Sequence, residues 1–116
     1  MSLYYTWQKL SAAVDALAEG DSPRWQRLAT AMAMTEPLGR AGRSESDFPT
    51  PELRQLFDAL QAKLGARGSF EDTTKTLSVT EVSEAIREIL KLYDEVAKSL
   101  GVEEAEGQAR RAMSGR

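Results

Sequence analysis

The sequence contains no cysteine and no histidine. Without cysteine there is no disulfide, no thiolate nucleophile and no thiolate metal site. Without histidine the chain lacks the commonest general base and the commonest protein ligand of metals. Only carboxylates, lysines, tyrosines and hydroxyls are left for chemistry. We therefore expect a protein that is not an enzyme and that needs no metal and no other cofactor.

The acidic residues and the glycines form no pattern typical of a site. The carboxylates of Asp94 and Glu95 are adjacent and diverge on a helix, so they do not make an acid/base pair. Glu71 and Asp72 lack the spacing of a calcium-binding loop. No glycine-rich stretch is followed by the lysine and hydroxyl of a phosphate-binding loop. The sequence thus favours a solvated surface at each of these places.

The chain also lacks an excess of positive charge and any long apolar run. Its formal net charge is −3 at pH 7, which argues against a broad surface for nucleic acids. No run approaches the roughly 18 apolar residues of a membrane span. The N-terminal residues, with Lys9, Asp15 and Glu19 among them, do not resemble a secretory signal. We expect a cytoplasmic protein that does not contact membranes.

The clearest pattern that is present predicts a long helix over residues 79–100. A capping box of Ser78 and Glu81 marks its start, and Gly101 is expected to end it. Its apolar residues recur at steps of three and four, which is the period of one helix face. These residues are Val79, Val82, Ile86, Ile89, Tyr93, Val96 and Leu100.

Three further helices are predicted. The first covers Leu3–Glu19. The second covers Pro23–Glu36 with Ser22 as N-cap, and it ends before Pro37. The third covers Pro51–Leu64, between Thr50 as N-cap and Gly65.

Between these helices, residues 37–49 have the composition of a loop, and residues 66–77 are expected to lie extended across the bundle. Residues 102–116 are expected to form a frayed C-terminal tail. The 116 residues therefore predict one all-α domain over residues 1–101 that resembles a four-helix bundle.

The helix patterns also predict which residues form the shared core. They are Trp7, Leu10, Val14, Leu17, Trp25, Leu28, Met32, Leu53, Leu56, Phe57, Leu60, Leu64, Val82, Ile86, Ile89, Tyr93 and Val96.

The long helix carries more apolar residues than one face needs. Leu90 and Leu92 widen its apolar side, which is typical of a helix that is central in its own domain or shared with another protein. Tyr4 and Tyr5 near the N-terminus are large aromatic residues of the kind that anchor partners. Our leading interpretation is a protein that acts by binding a protein, either a second copy of itself or a different partner.

The alternative interpretation is a DNA-binding regulator. The segment around residues 12–34 has the order of a helix-turn-helix, in which Arg24, Gln26 and Arg27 would reach base edges from the start of the second helix. An ordinary helical hairpin gives the same signal, and Trp25 fits a core better than a base contact. Binding of nucleic acid is therefore disfavoured but stays open.

The sequence also resembles small bacterial helical proteins of unknown function. The resemblance implies a bacterial helical protein and carries over no activity and no functional residue. The residues that carry it are Tyr5–Leu10 with Ala13–Leu17, Arg27–Ala29, Pro51–Arg54 with Phe57, and Leu92–Val96.

Overall fold

The computed structural model of the chain describes residues 3–19, 21–39 and 48–114, with side chains of the last helix as far as residue 101. The five α-helices in chain order are α1 (Leu3–Ala18), α2 (Arg24–Thr35), α3 (Pro51–Leu64), α4 (Phe70–Thr74) and α5 (Val79–Ser114). A 3-10 turn (Glu36–Gly39) follows α2.

The described residues contain helices and no strand, which confirms an all-α fold. Helix α1 packs mainly against α2 and α5, and α3 packs against α5 and α4. Helices α1, α2, α3 and α5 are thus the four principal elements of the bundle, as the sequence predicts. No helix in the described part of the chain has both the length and the apolar character needed to cross a bilayer.

The predicted start of α5 is confirmed. The Ser78 N–H donates to the Glu81 carboxylate at 2.9 Å, and the Glu81 N–H donates to the Ser78 hydroxyl at 3.1 Å. The hydrogen bond from the Ser78 backbone N–H stabilises the ionised Glu81 carboxylate and is the main reason why the pKa of Glu81 lies below the ordinary value of a glutamate.

The predicted end of α5 is wrong. Gly101 lies inside the helix, which continues to Ser114. A single glycine costs a helix only about 1 kcal/mol, and the residues that follow, Glu103, Glu104 and Ala105, are good helix formers. The expected fraying of residues 102–116 concerns side chains outside the described part, so it stays a prediction.

Both ends of α2 differ from the prediction. Pro23, not Ser22, is the N-cap, and no side chain caps the helix. Pro23 has a ψ of 154°, so its own backbone is extended although its carbonyl accepts the first hydrogen bonds of the helix. At the other end Glu36 keeps helical dihedral angles, and the 3-10 turn carries the chain through Pro37 to Leu38, which is fully buried.

The prediction of an extended segment over residues 66–77 is wrong, because α4 forms there. The Ser69 hydroxyl accepts the Asp72 N–H at 3.0 Å and caps the helix. Thr73 donates its hydroxyl to the Ser69 carbonyl at 2.9 Å, which allows a residue of high strand propensity to lie buried in a helix. Phe70 and Leu77 are partly buried and pack against the core.

The ends of the segment between α2 and α3 are anchored in the bundle. Leu38 and Phe48 are both buried, although neither was predicted in the core. Arg54 of α3 donates to the Leu38 carbonyl at 3.1 Å, and its guanidinium lies 5.6 Å from the centre of the Phe48 ring. Phe48 also packs on Phe57, with ring centroids 5.2 Å apart.

The core confirms most of the predicted residues and shifts the buried face of α5. Leu92 and Ala85 are buried, whereas Val79 is exposed and Ile86 and Tyr93 are only half-buried. The buried hydrophobic residues are Leu3, Leu10, Ala13, Leu28, Ala29, Ala31, Met32, Leu38, Phe48, Phe57, Leu60, Leu64, Val82, Ala85, Ile89, Leu92 and Val96.

Candidate functional site

The residues predicted to contact DNA have two different environments. Arg24 and Gln26 are exposed at the start of α2. Arg27 is half-buried, and its Nη1 donates to the Leu17 carbonyl at 2.8 Å. Leu17 lies in the last turn of α1, where carbonyls lack helical partners and positive charge is favourable. Arg27 therefore stabilises the C-terminal end of α1 within the fold.

Two adjoining pockets surround Arg24. The smaller has a volume of about 120 Å³ and is lined by Leu17, Arg24, Arg27 and Ile86. The larger is an open apolar groove of about 240 Å³ between the start of α2 and the start of α5. It is lined by Arg24, Trp25, Leu77, Val79 and Val82.

The groove has a buried side and an exposed rim. Val82 is buried, while Trp25 and Leu77 are half-buried. Val79 is 78% exposed, the highest value among the large hydrophobic residues of the described part. The sequence predicted Val79 for the core face of α5, but no described element covers the first turn of that helix at this position.

Positive charge without a carboxylate partner adjoins this groove. Neither Arg24 nor Arg27 forms an ion pair within the described part of the chain. The Nε of Arg27 is buried without a hydrogen-bond partner there. Helix α2 begins at the same place with no side-chain cap, so its positive dipole end adds to the potential.

The residues predicted to bind a partner are only partly available. Tyr4 is 53% exposed and stacks on Trp7, with ring centroids 5.8 Å apart. Tyr5 is half-buried, and the ammonium nitrogen of Lys9 lies 5.4 Å from the centroid of the Tyr5 ring. Leu92 is fully buried in the chain's own core, so its inclusion in a partner surface is corrected. Leu92 belongs to the core cluster, and α1, α2 and α3 all pack on α5.

Leu90 belongs to a partly exposed apolar stripe on α5, which we name the α5 flank. It comprises Ile86, Leu90, Tyr93 and Ala97, at steps of four, three and four residues. Leu90 is 43% exposed, and the other three are half-buried. This spacing is typical of a helix that packs against a second helix.

Charged residues border the α5 flank on its solvent side. Asp94 pairs with Lys98 at 3.1 Å, and the hydrogen bond from Lys98 to that carboxylate is the main reason why the pKa of Lys98 is raised. Arg87 is exposed and forms no ion pair with any described residue. Arg87 precedes Leu90 by three residues and Asp94 follows it by four, so the border carries opposite charges on either side of Leu90.

No arrangement for catalysis or metal binding emerges among the described residues. In that part of the chain, no group of three or more carboxylates comes close enough to hold a metal ion. The lowered pKa of Glu81 and the raised pKa of Lys98 both arise from local hydrogen bonds on the surface of α5.

Comparison with known proteins gives no family for this chain. No family model matches it, and neither a curated protein nor a solved structure is significantly similar to it. The resemblance to small bacterial helical proteins therefore stays a prediction, and the function has to be argued from the surface features described above.

Proposed function

We propose that this protein is not an enzyme and acts by binding another protein through the α5 flank, with a second copy of the chain as the partner. The observation that carries the proposal is Leu90, a large apolar side chain that is 43% exposed between half-buried apolar neighbours. A second helix packed on this stripe would remove Leu90 from water, and burying a leucine side chain contributes up to about 2 kcal/mol.

The charges along the border favour an antiparallel arrangement of two α5 helices. In a dimer with two-fold symmetry, the same surface of each subunit forms the contact. We place the two-fold axis between Leu90 and Lys91. Each residue before this point then faces the residue of the partner subunit that lies equally far after it. Arg87 then lies opposite Asp94 of the partner subunit, and the pair occurs twice.

The matching of unlike charges supports a second copy as the partner. Arg87 has no ion pair within the described part of its own chain, so a carboxylate from the partner would give it one. The same contact leaves Asp94 between its own Lys98 and the partner's Arg87. Charge pairs at the edge of an interface contribute mainly to orientation and specificity.

The test is molar mass by light scattering across a concentration series. We expect wild-type protein to dimerise, and Leu90→Glu to be monomeric because it places a charged carboxylate in the apolar centre of the contact in each copy. Met34→Glu is the matched control, since Met34 is also 43% exposed but lies on α2. Circular dichroism shows whether each variant is folded.

Wild-type protein that stays monomeric up to about 1 mM, the concentration range of weak complexes, contradicts self-association through this surface. Equal dimerisation of the folded Leu90→Glu variant contradicts the assignment of the α5 flank.

The DNA-binding alternative has less support. Arg24 and Gln26 are exposed at the start of α2, but Arg27 is engaged with the Leu17 carbonyl. The remaining two side chains offer a small base-reading surface, since recognition helices read DNA with three or four.

A further inference from the structure

The two pockets around Arg24 differ in chemistry, although they share a wall. The groove is lined by the apolar residues Trp25, Leu77 and Val82, so its walls offer few hydrogen bonds to a polar ligand. The smaller pocket has two guanidinium groups, of Arg24 and Arg27. Arg24 lines both pockets, so the two lie on either side of one exposed side chain.

The charge of the smaller pocket is uncompensated within the described part of the chain. Arg27 is oriented by its bond to the Leu17 carbonyl, a neutral acceptor that leaves the positive charge in place. Its buried Nε has no partner there, and neither arginine pairs with a described carboxylate. A buried or half-buried cation is stabilised by an anion, and guanidinium groups bind oxyanions with two parallel hydrogen bonds.

We propose that this double pocket is a binding site for a small organic monoanion with an apolar body. The oxyanion head, a carboxylate, lies in the smaller pocket against Arg24 and Arg27. The apolar body lies in the groove on Trp25 and Val82, with Val79 at the rim. The site is separate from the α5 flank through which the protein is proposed to bind a second copy, except that Ile86 lines both.

The volume sets the size of the ligand. Pockets for drug-sized molecules have volumes of roughly 300–1,000 Å³. The groove, at about 240 Å³, lies below that range, and the smaller pocket adds about 120 Å³ for the head group. Together the two pockets lie at the low end of that range, which suits a short alkyl chain or a single aromatic ring that carries a small head group.

The test compares three probes with the same tail, namely octanoate, octylammonium and 1-octanol, each below its micelle-forming or solubility limit. Binding is followed by NMR through the two tryptophan indole N–H resonances, which Trp7→Phe assigns. Trp25 lines the groove and Trp7 does not, so Trp7 is an internal control. We expect saturable shifts of the Trp25 resonance with octanoate and at least about tenfold weaker binding of octylammonium.

The variants separate the head-group contact from the apolar one. Arg24→Gln is expected to weaken the binding of octanoate about tenfold and to leave the affinity for 1-octanol unchanged, because only the charge-assisted hydrogen bonds are lost. Val79→Asp, on the exposed rim, is expected to weaken the binding of both octanoate and 1-octanol. Arg67→Gln, an exposed arginine outside the site, is the matched control.

Three results would overturn the proposal. The first is the absence of saturable octanoate binding, and the second is equal affinity for the three probes. The third is an Arg24→Gln variant that binds octanoate as tightly as the Arg67→Gln control. Each of these leaves the dimerisation measurement unaffected, so the two proposals stand or fall separately.

Discussion

At the scale of single residues, the start of α5 depends on two surface side chains. Ser78 and Glu81 exchange hydrogen bonds at 2.9 and 3.1 Å, which satisfies two backbone N–H groups that a helix start leaves unpaired. The chain turns out of the short helix α4 immediately before this point. The capping box therefore sets where the longest helix of the bundle begins.

We predict that this cap makes folding stability depend on pH through Glu81. Its pKa is lowered in the folded state by the Ser78 N–H, so the folded protein favours the ionised form more than the unfolded chain does. The stabilisation is complete above the unfolded pKa and is lost as pH falls through the lower folded pKa. Urea unfolding of wild type and Glu81→Gln between about pH 7 and about pH 3 measures the effect.

The expected result is a stability difference between the two proteins that is largest at neutral pH and shrinks in acid. Ser78→Ala is the companion variant, because it removes the hydroxyl acceptor but leaves the Ser78 N–H in place. A difference between wild type and Glu81→Gln that is the same at every pH contradicts the role of the ionised carboxylate.

Local signals of this kind are predictable from the sequence, and contacts between distant residues are not. The caps at Ser78 and Thr50 depend on residues three positions apart and are correctly predicted. The cap of Ser69 on Asp72 has the same spacing, so the signal for α4 was present although the threonines suggested a strand. The burial of Leu92 depends on how the other helices pack on α5, and no local pattern contains that information.

At the scale of elements, the course of α5 through Gly101 is the main departure from the sequence pattern. Glycine ends helices because it adopts positive φ without strain, but it also occurs inside them at a cost. Apart from its chain neighbours and the nearby backbone of α5, no described atom lies within 4 Å of a Cβ added at Gly101. The site therefore has space for a side chain.

We predict that Gly101→Ala stabilises the protein by about 0.5–1 kcal/mol, since alanine loses less backbone entropy in a helix. The matched control is Gly68→Ala, because Gly68 has a φ of 99° and alanine there is strained. Denaturant unfolding is expected to give opposite signs for the two substitutions. Destabilisation by Gly101→Ala would show that the helix ends at this residue.

The helices whose ends carry strong signals were the easiest to predict. Helix α3 lies between Thr50 and Gly65 as expected, and its threonine hydroxyl accepts the Leu53 N–H at 3.2 Å. The groove beside Arg24 was not predictable, because it exists only where the start of α2 meets the start of α5. In the sequence, Arg24 stands out only as a DNA contact of the alternative interpretation.

At the scale of the whole molecule, α5 differs from its neighbours in length. Its 36 residues span about 54 Å, whereas the 16 residues of α1 span about 24 Å. A helix this long offers a partner more surface than the shorter helices can cover. The proposed dimer uses one part of that surface, around Leu90.

We predict that reversing the charges beside Leu90 distinguishes the antiparallel dimer from other arrangements. Arg87→Asp and Asp94→Arg each bring like charges together twice in the two-fold contact, so each is expected to weaken dimerisation about tenfold. The double variant Arg87→Asp/Asp94→Arg restores opposite charges and is expected to dimerise like wild type. Sedimentation equilibrium gives the dissociation constants.

Because Asp94→Arg also breaks the pair with Lys98, the Lys98→Gln variant serves as control for that loss. If the double variant is weaker than both single variants, the two charges do not face each other and the antiparallel arrangement is wrong.

The anchoring of Leu38 and Phe48 has a consequence for insertions between these two residues. Arg54 holds the chain at the Leu38 carbonyl and at the Phe48 ring, so the bundle closes on itself whatever joins these two residues. Doubling the length of a connecting segment costs only about 0.6 kcal/mol in closure entropy. We therefore expect a peptide inserted between residues 39 and 48 to lower the free energy of unfolding by little more than this closure entropy.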